Sequence, residues 1–415
     1  MPSQRVEFAP ERDAAIFAAL AAAPAVYILR GDEGTEPYIS KTSDLKRRLT
    51  RLLGPQEEQG KRLSFNLRER CRTIEYTPTG SDFESGFLLY KILRREFPRG
   101  ERNYRDRLKL RFAPLIKLNL ENPYPRAYVT RRIGRMNSPS RYYGPFASRA
   151  AAEKFLNDAL DFFKMRRCDF DLNPDPSFPG CMYSEMKMCL APCFKGCSDD
   201  EYRDEVARVH DFLESSGQTL QRELAEQREK ASEDLQFEAA ATIHGRMEKL
   251  HAILGATSLP EIARPIEKLN AVLVQPSVEK GAVSFFKITH GVIAGPVNFA
   301  VEETTEITSA SGAATVKKAQ PRSMESRISE CLAQVPDSPA ASAMELNEHI
   351  ALLKRWYYRS RKTGELFLTD ERGELPLRRI VRGVGRVLRG EKAEAAGSDE
   401  AHRAYWLART REEEA

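Results

Sequence analysis

The stretch RYYGPFASRAAAEKFLNDALDFFKMRRC, at residues 141–168, leads from a basic, aromatic segment into a cysteine-rich one. Its residues from Ala147 to Arg167 have the apolar spacing of a helix. An irregular stretch rich in Pro and Cys follows, from Asp169 to Ser198, and it has too few apolar residues to order itself. The sequence therefore predicts that something external organises the segment after this helix.

Four cysteines in and beside that stretch are candidate metal ligands. They are Cys168, Cys181, Cys189 and Cys193, with gaps of twelve, seven and three residues. Four thiolates can hold a tetrahedral zinc ion or a [4Fe–4S] cluster, and either would contribute folding energy. The spacing of the cysteines does not distinguish a zinc ion from a [4Fe–4S] cluster. A third possibility is that the four thiols bind no metal. Cys197 is either a replacement ligand or a bystander, while the isolated Cys71 and Cys331 are predicted to be packing residues.

The composition is that of a globular protein, with 41% hydrophobic and 30% charged residues. A length of 415 residues suggests about two to four domains. No run approaches the ~20 apolar residues that cross a bilayer, and Glu7, Glu11 and Asp13 stand where a signal peptide would carry positive charge. We therefore expect a cytoplasmic protein without membrane association, in which seven cysteines favour metal ligation or buried thiols over disulfides.

A basic, aromatic segment between Asn122 and Ala152 contains no Asp or Glu. Its arginines, interleaved with tyrosines and a phenylalanine, are Arg126, Arg131, Arg132, Arg135, Arg141 and Arg149. This combination suits a phosphate backbone with exposed bases, so the segment is a candidate DNA-binding surface. The alternative is a solvated face above buried aromatic residues.

The apolar pattern predicts a mixed α/β chain. Residues 24–40 contain two short strands, PAVYILR and EPYIS, and helices are predicted from Asp44 to Leu53 and from Phe83 to Glu96. Residues 199–254 are strongly helical, with an apolar stripe typical of a helical hairpin. Strands follow at 269–274 and 282–289, and residues 304–322 are predicted to be a loop or linker.

Several motifs occur in one order along the chain. AVY at 25–27, PYISKTSDLKRRL at 37–49 and PRAYVTRR at 125–132 precede the opening stretch, and CLAPCF and LQFEAAATIHGRMEKL follow it. Together they resemble the excinuclease C (UvrC) family, with its GIY-YIG nuclease domain and its UVR motif, over about residues 20–256. The resemblance implies a role in nucleotide-excision repair of damaged DNA.

The resemblance also implies a cofactor and a partner. It implies a [4Fe–4S] cluster held by the same four cysteines, Cys168, Cys181, Cys189 and Cys193. It implies that the UVR hairpin, roughly Gln227 to Leu254, docks on a UvrB-type helicase subunit. The residues expected at that interface are Leu235, Phe237, Glu238, Ala239 and Ala240. Such an apolar face is more than two helices can bury alone.

On this basis the chain is expected to have five regions. They are a GIY-YIG-like α/β domain at 1–112, a basic aromatic and Cys-rich iron–sulfur region at 113–198, a helical UVR region at 199–258, a smaller C-terminal α/β region at 259–390, and a mobile tail at 391–415.

The expected nuclease site departs from the family pattern. By resemblance, Tyr27 would activate water, Tyr38 and Lys41 match the second motif, and Arg48 would stabilise the phosphate. Ala25 and Ser40 replace glycines, and Leu89 stands where the family has the glutamate that binds Mg²⁺ or Mn²⁺. Leucine offers no anionic oxygen to a hard cation. Glu84 lies five residues away, about 7.5 Å along a helix, so we expect a weak or inactive site.

Residues after 270 show no carboxylate constellation for the family's RNase H-like domain, nor helix-hairpin-helix motifs. The second incision activity is therefore expected to be absent. Three hypotheses follow: a DNA- and UvrB-binding repair subunit that cuts poorly, a single-incision nuclease resembling the short homologue Cho, and a non-catalytic iron–sulfur adaptor.

Overall fold

The fold is described from a computed structural model of the chain. It covers residues 3–55, 67–98, 104–255, 259–302, 322–337, 340, 342–370 and 372–391. Of the expected linker at 304–322, the structure describes residue 322 alone. Of the expected tail at 391–415, it describes residue 391 alone.

The described residues form a mixed α/β structure with three four-stranded antiparallel sheets. The strands are β1 (Gln4–Glu7), β2 (Ala25–Arg30), β3 (Tyr38–Thr42), β4 (Thr73–Pro78), β5 (Leu115–Asn119), β6 (Arg126–Thr130), β7 (Arg141–Gly144), β8 (Arg264–Pro265), β9 (Ala271–Pro276), β10 (Ala282–Thr289), β11 (Val292–Ala300) and β12 (Glu365–Leu368).

Helices flank these sheets. They are α1 (Asp13–Ala19), α2 (Leu45–Leu53), α3 (Asp82–Glu96), α4 (Tyr104–Leu108), α5 (Arg149–Leu160), α6 (Met182–Glu185), α7 (Asp199–Glu214), α8 (Gln218–Glu233), α9 (Phe237–Leu254), α10 (Met324–Ala333), α11 (Ala343–Tyr357) and α12 (Leu377–Arg389). None of the described helices is long and apolar enough to cross a membrane.

The N-terminal sheet has the strand order β1-β4-β2-β3. The strand β2 is almost wholly buried, as its apolar run requires of a central strand. The Asp44 side chain accepts a hydrogen bond from the Arg47 N–H at 2.9 Å and so caps α2, whose leucines pack beneath the sheet. These observations confirm the two strands and the helix predicted here.

The second sheet has the order β6-β5-β7-β8 and packs with α5, α7, α8 and α9 around one core. The helix predicted over 147–167 ends at Leu160, seven residues early. Residues beyond it are nevertheless buried, including Met165 at 0% and Arg166 at 1% exposed. The helical region at 199–254 is three helices, and α8 packs antiparallel to α9 through a connection at Leu235, whose φ is 54°.

The third sheet has the order β11-β10-β9-β12, and it includes both predicted strands. Its core extends to the N-terminal part of the chain, because Phe83, Phe87 and Tyr90 of α3 pack with Phe286 and Trp356. The helix α3 is thus shared between the first and third sheets. No local sequence pattern predicted this connection.

Candidate functional site

Three of the four residues expected at the nuclease site are joined by hydrogen bonds. Tyr27 lies on β2, Tyr38 begins β3, and Arg48 lies in α2. The Arg48 guanidinium donates from Nε to the Tyr27 hydroxyl and from Nη2 to the Tyr38 hydroxyl, each at 3.2 Å. The two tyrosine rings have centroids 6.2 Å apart. The sheet and the adjoining helix therefore bring these side chains together.

Burial restricts the chemistry of this cluster. Tyr27 is 0% exposed and belongs to the core beneath the N-terminal sheet. That burial raises the pKa of the Tyr27 hydroxyl, against the opposing effect of the hydrogen bond from Arg48. A tyrosine that activates water needs access to it and a phenol that ionises readily. Burial opposes both conditions in this arrangement.

Lys41, the fourth expected residue, faces a separate cleft. Its Nζ donates to Asp82 Oδ1 at 2.5 Å and to the Asp82 carbonyl oxygen at 3.4 Å. Leu89, at the expected metal-ligand position, lines the same cleft. Asp82 and Leu89 are seven residues apart on α3, which places them on one face about 10.5 Å apart along the axis. Asp82 is the one carboxylate among the described residues that line this cleft.

Tyr90, next to Leu89, takes part in a buried polar network with α11. Its hydroxyl donates to Glu348 Oε2 at 2.9 Å, and the Tyr104 hydroxyl donates to Glu348 Oε1 at 2.6 Å. Glu348 is 0% exposed. Arg94 donates to the Tyr90 hydroxyl at 2.9 Å and also pairs with Glu345. A buried carboxyl group needs such partners, so the face of α3 around Tyr90 is occupied by packing.

Glu84 is not among the residues that line the cleft beside Leu89. Its Oε2 accepts a hydrogen bond from the Gly80 N–H at 2.8 Å, and its own N–H donates to Ser81 Oγ at 3.1 Å. Burial raises the pKa of the Glu84 carboxyl group. The side chain therefore turns back to stabilise the beginning of α3 and is not among the residues that line the cleft.

Cys168, Cys181, Cys189 and Cys193 line one small pocket. Cys189 Sγ accepts a hydrogen bond from the Ala191 N–H at 3.3 Å, and Cys168 Sγ accepts one from Arg166 Nη1 at 3.4 Å. Burial raises the pKa of Cys189 to about 11, and the neighbouring thiols add to the shift. Within the described ranges, however, no group of three or more His, Cys, Asp or Glu side chains is arranged to hold a metal ion.

The donor set of this pocket nevertheless fits a thiolate-bound metal. Its lining combines four free thiols with arginine, aromatic and apolar side chains, and the described lining residues include no carboxylate. Soft sulfur ligands select zinc or iron–sulfur clusters over hard cations. Cys197 packs at the edge of the helical core instead of lining the pocket. Cys71 and Cys331 are buried, which confirms them as packing residues.

The arginines of the basic segment differ in their surroundings. Arg131, Arg132 and Arg135 are exposed in the loop between β6 and β7, and among the described residues no ion pair of theirs is found. Arg141 pairs with Glu267 at 3.5 Å, and the Arg126 guanidinium lies 4.6 Å from the Tyr128 ring centroid. The exposed loop is therefore the part of this segment that presents positive charge to solvent.

The aromatic residues of the segment are mostly core residues. Tyr142, Tyr143 and Phe146 are 9%, 3% and 1% exposed. The Tyr143 hydroxyl donates to Glu214 at 3.1 Å. The interpretation of these three rings as base-stacking groups is therefore wrong, because Tyr143 and Phe146 belong to the core formed with α5 and α7, and Tyr142 belongs to the core that includes α3 and α11.

The tip of the α8–α9 hairpin exposes large apolar side chains. Leu235 is 71% and Phe237 70% exposed, and Glu238 and Ala239 are also exposed, while Ala240 is half-buried. Further along α9, Met247 and Leu250 are buried in the core. The predicted apolar stripe is thus divided between internal packing at the base of the hairpin and an uncovered surface at its tip.

Residues 113–212, from the start of the second sheet into α7, match the family model of the UvrC/Cho excinuclease middle domain. This part of the chain is therefore similar to the middle domain of UvrC/Cho excinucleases. No solved structure matches the chain.

Similar proteins include UvrABC system protein C from several organisms. The one from Carboxydothermus hydrogenoformans is 29% identical over 272 residues, which cover 66% of this chain and 43% of that protein. The one from Methanothermobacter thermautotrophicus is 29% identical over 281 residues, covering 67% and 45%. The one from Rickettsia africae is 31% identical over 215 residues, covering 51% and 32%. The chain spans less than half the length of these relatives.

Proposed function

We propose that this chain is a UvrC-type component of nucleotide-excision repair, which binds damaged DNA and a UvrB-type helicase subunit and cuts DNA weakly or not at all. The proposal depends on one observation: the segment that matches the middle domain is followed by a helical hairpin, and the tip of this hairpin exposes Leu235 and Phe237. A helical tip with uncovered apolar side chains suits docking on a complementary helical surface.

The proposal assigns a role to each region of the chain. Residues 1–112 are the GIY-YIG-like domain, 113–198 the DNA-binding and cysteine-rich region, 199–258 the partner-binding helices, 259–390 a C-terminal α/β region, and 391–415 a tail.

Weak or absent cutting is supported by the surroundings of Leu89. Among the described residues, the cleft that Leu89 lines has one carboxylate, Asp82, and that group is already bound by Lys41 and Arg359. A catalytic Mg²⁺ or Mn²⁺ would require an oxygen ligand that α3 does not supply there. The Tyr27–Tyr38–Arg48 cluster favours the alternative of a Cho-like single-incision nuclease, but α3 offers it no metal ligand at position 89.

A [4Fe–4S] cluster bound by Cys168, Cys181, Cys189 and Cys193 is part of the proposal. The shared pocket and the N–H donors to two of the sulfurs support it. When bound, the cluster would supply cross-links to a segment that has little core of its own. The Ala191 N–H and Arg166 would hold the sulfurs in place and offset their negative charge.

The DNA-binding role predicts a change in salt dependence. Replacing Arg131, Arg132 and Arg135 with Gln should weaken DNA binding equally for all sequences, because interactions with the phosphate backbone carry no sequence information. The slope of log affinity against log salt should fall by roughly one unit for each phosphate that the variant no longer neutralises. Fluorescence anisotropy with labelled duplex DNA at several salt concentrations measures both quantities.

A matched control removes the same charge elsewhere. Arg378, Arg379 and Arg382 lie on α12, and their replacement with Gln should change the slope less. If the two triple variants have the same slope as the wild type, the loop between β6 and β7 does not bind DNA.

The partner-binding role predicts that Phe237→Asp weakens the complex strongly. The side chain is 70% exposed, so the free protein should keep its fold, whereas the complex would bury an unpaired charge. We expect a loss of about 2 kcal/mol or more, roughly thirtyfold in affinity, measured by calorimetry with a UvrB-type protein. Val278→Asp places the same charge on another exposed apolar residue, 50% exposed, and should leave binding unchanged. Equal affinities for all three proteins would place the interface elsewhere.

A further inference from the structure

A cleft of about 270 Å³ lies between α3, the end of α4 and the end of α11. Its floor is apolar and includes Phe87, Leu89 and Trp356. Phe87 and Trp356 are 2% and 5% exposed, so the floor is a packed surface of low polarity. Charges around such a floor are screened less than on an open surface, which strengthens their attraction for an opposite charge.

The charged residues around the cleft are strongly unbalanced. The cations are Lys41, Arg107, Lys109, Arg355 and Arg359, and Asp82 is the one acid among the described lining residues. Arg107 is paired outside the cleft, with Glu36 at 2.7 Å. Arg355 donates to the Leu108 carbonyl oxygen at 3.4 Å, which brings this side chain next to the backbone of Lys109. Three separate segments of the chain therefore supply positive charge to one place.

Asp82 bridges two of these cations. Its Oδ1 accepts from Lys41 Nζ at 2.5 Å, and its Oδ2 accepts from Arg359. Burial opposes ionisation of the carboxyl group, but the two cations outweigh it and lower the pKa of Asp82. Lys41, from the N-terminal part of the chain, and Arg359, from the C-terminal part, therefore both bind the Asp82 carboxylate.

We propose that this cleft binds a phosphate group of a nucleic-acid strand, with Lys41, Lys109, Arg355 and Arg359 as its ligands and Asp82 as the internal anion that the phosphate displaces. This inference rests on the proposed DNA-binding function and adds a second DNA-binding region to the loop between β6 and β7. The two non-bridging oxygens of a phosphodiester share one negative charge, as the two oxygens of the Asp82 carboxylate do, so they can take its place beside Lys41 and Arg359.

The experiment compares variants of opposite expected effect in the full chain. Arg355→Gln with Arg359→Gln should lower affinity for a labelled duplex oligonucleotide roughly five- to tenfold and reduce the salt slope by about one to two units. Asp82→Asn should raise the affinity, about two- to fivefold, because it removes the competing anion without removing a cation. Arg378→Gln with Arg379→Gln on α12 is the charge-matched control and should lower affinity less.

Each outcome supports or overturns the proposed phosphate site. Weaker binding by the Arg355 and Arg359 variant together with tighter binding by Asp82→Asn supports the cleft. Wild-type binding with no change in either variant, or an equally weakened α12 control, overturns the cleft and leaves the proposed DNA binding intact. No oligonucleotide binding by the wild type overturns both. Saturable binding of a mononucleotide that does not compete with the oligonucleotide would assign the cleft to a free phosphate ligand and overturn the strand-binding role.

Discussion

Cys189→Ser is expected to lose the metal and to unfold the segment between α5 and α7. That segment has a four-residue helix, α6, and a small cluster formed by Leu172, Ala191 and Cys193. Three of its non-glycine residues, Lys187, Ala191 and Lys195, have a φ of 57°, a conformation that L-residues adopt at a cost. This local packing is small compared with the entropy lost when the backbone is ordered, and the proposed metal–sulfur bonds would add to it. We expect the free energy of unfolding to fall by several kcal/mol.

Metal analysis and limited proteolysis test this expectation. Wild-type protein purified anaerobically should be brown and contain roughly four irons per chain, and protease should cut the 169–198 segment only in the Cys189→Ser variant. Cys197→Ser is the matched control and should keep both the iron and the protection, because Cys197 lies outside the pocket. Stoichiometric zinc in iron-replete protein, or unchanged stability of Cys189→Ser, would contradict the proposed cluster.

Local elements could be predicted from the sequence where one pattern dominated. The strand PAVYILR is buried along most of its length, and Asp44 caps the helix that was expected to begin beside it. The hairpin of α8 and α9 follows from its apolar spacing. By contrast, the end of α5 differs from the prediction because Phe163 and Met165 continue the apolar pattern beyond the helix and are buried without it.

The site was harder to predict because its parts are distant in sequence. Tyr27, Tyr38 and Arg48 lie within one α/β unit, and motif matching was enough to group them. Glu348 reaches Tyr90 across 258 residues. Nor did any local signal place Arg359 beside Asp82, 277 residues away. Such pairings depend on how separate sheets share a core, which periodicity along one element does not encode.

Two neighbouring substitutions on α3 should have opposite consequences. Leu89 is half-buried and lines the cleft that contains Lys41, so a carboxylate there has a cation nearby and access to solvent. Leu89→Glu should therefore fold, at a cost of about 1–2 kcal/mol. Tyr90 is 1% exposed and donates to Glu348. Tyr90→Glu would place a second carboxyl group against a buried one and should cost about 3–5 kcal/mol.

If the metal ligand is the one missing part of the nuclease site, Leu89→Glu should also gain activity. Wild-type protein should show no nicking of damaged duplex DNA with Mg²⁺ or Mn²⁺, and Leu89→Glu should show nicking above that background, because metal-assisted charge stabilisation contributes several kcal/mol. Leu89→Gln has the same shape without the charge and should remain inactive, while circular dichroism of all variants reports the fold.

The phenol of Tyr27 is buried, and we therefore expect Leu89→Glu to cut slowly. Robust wild-type nicking that is abolished in Tyr27→Phe or in Glu84→Gln would instead mean that the site works with a ligand other than the residue at position 89.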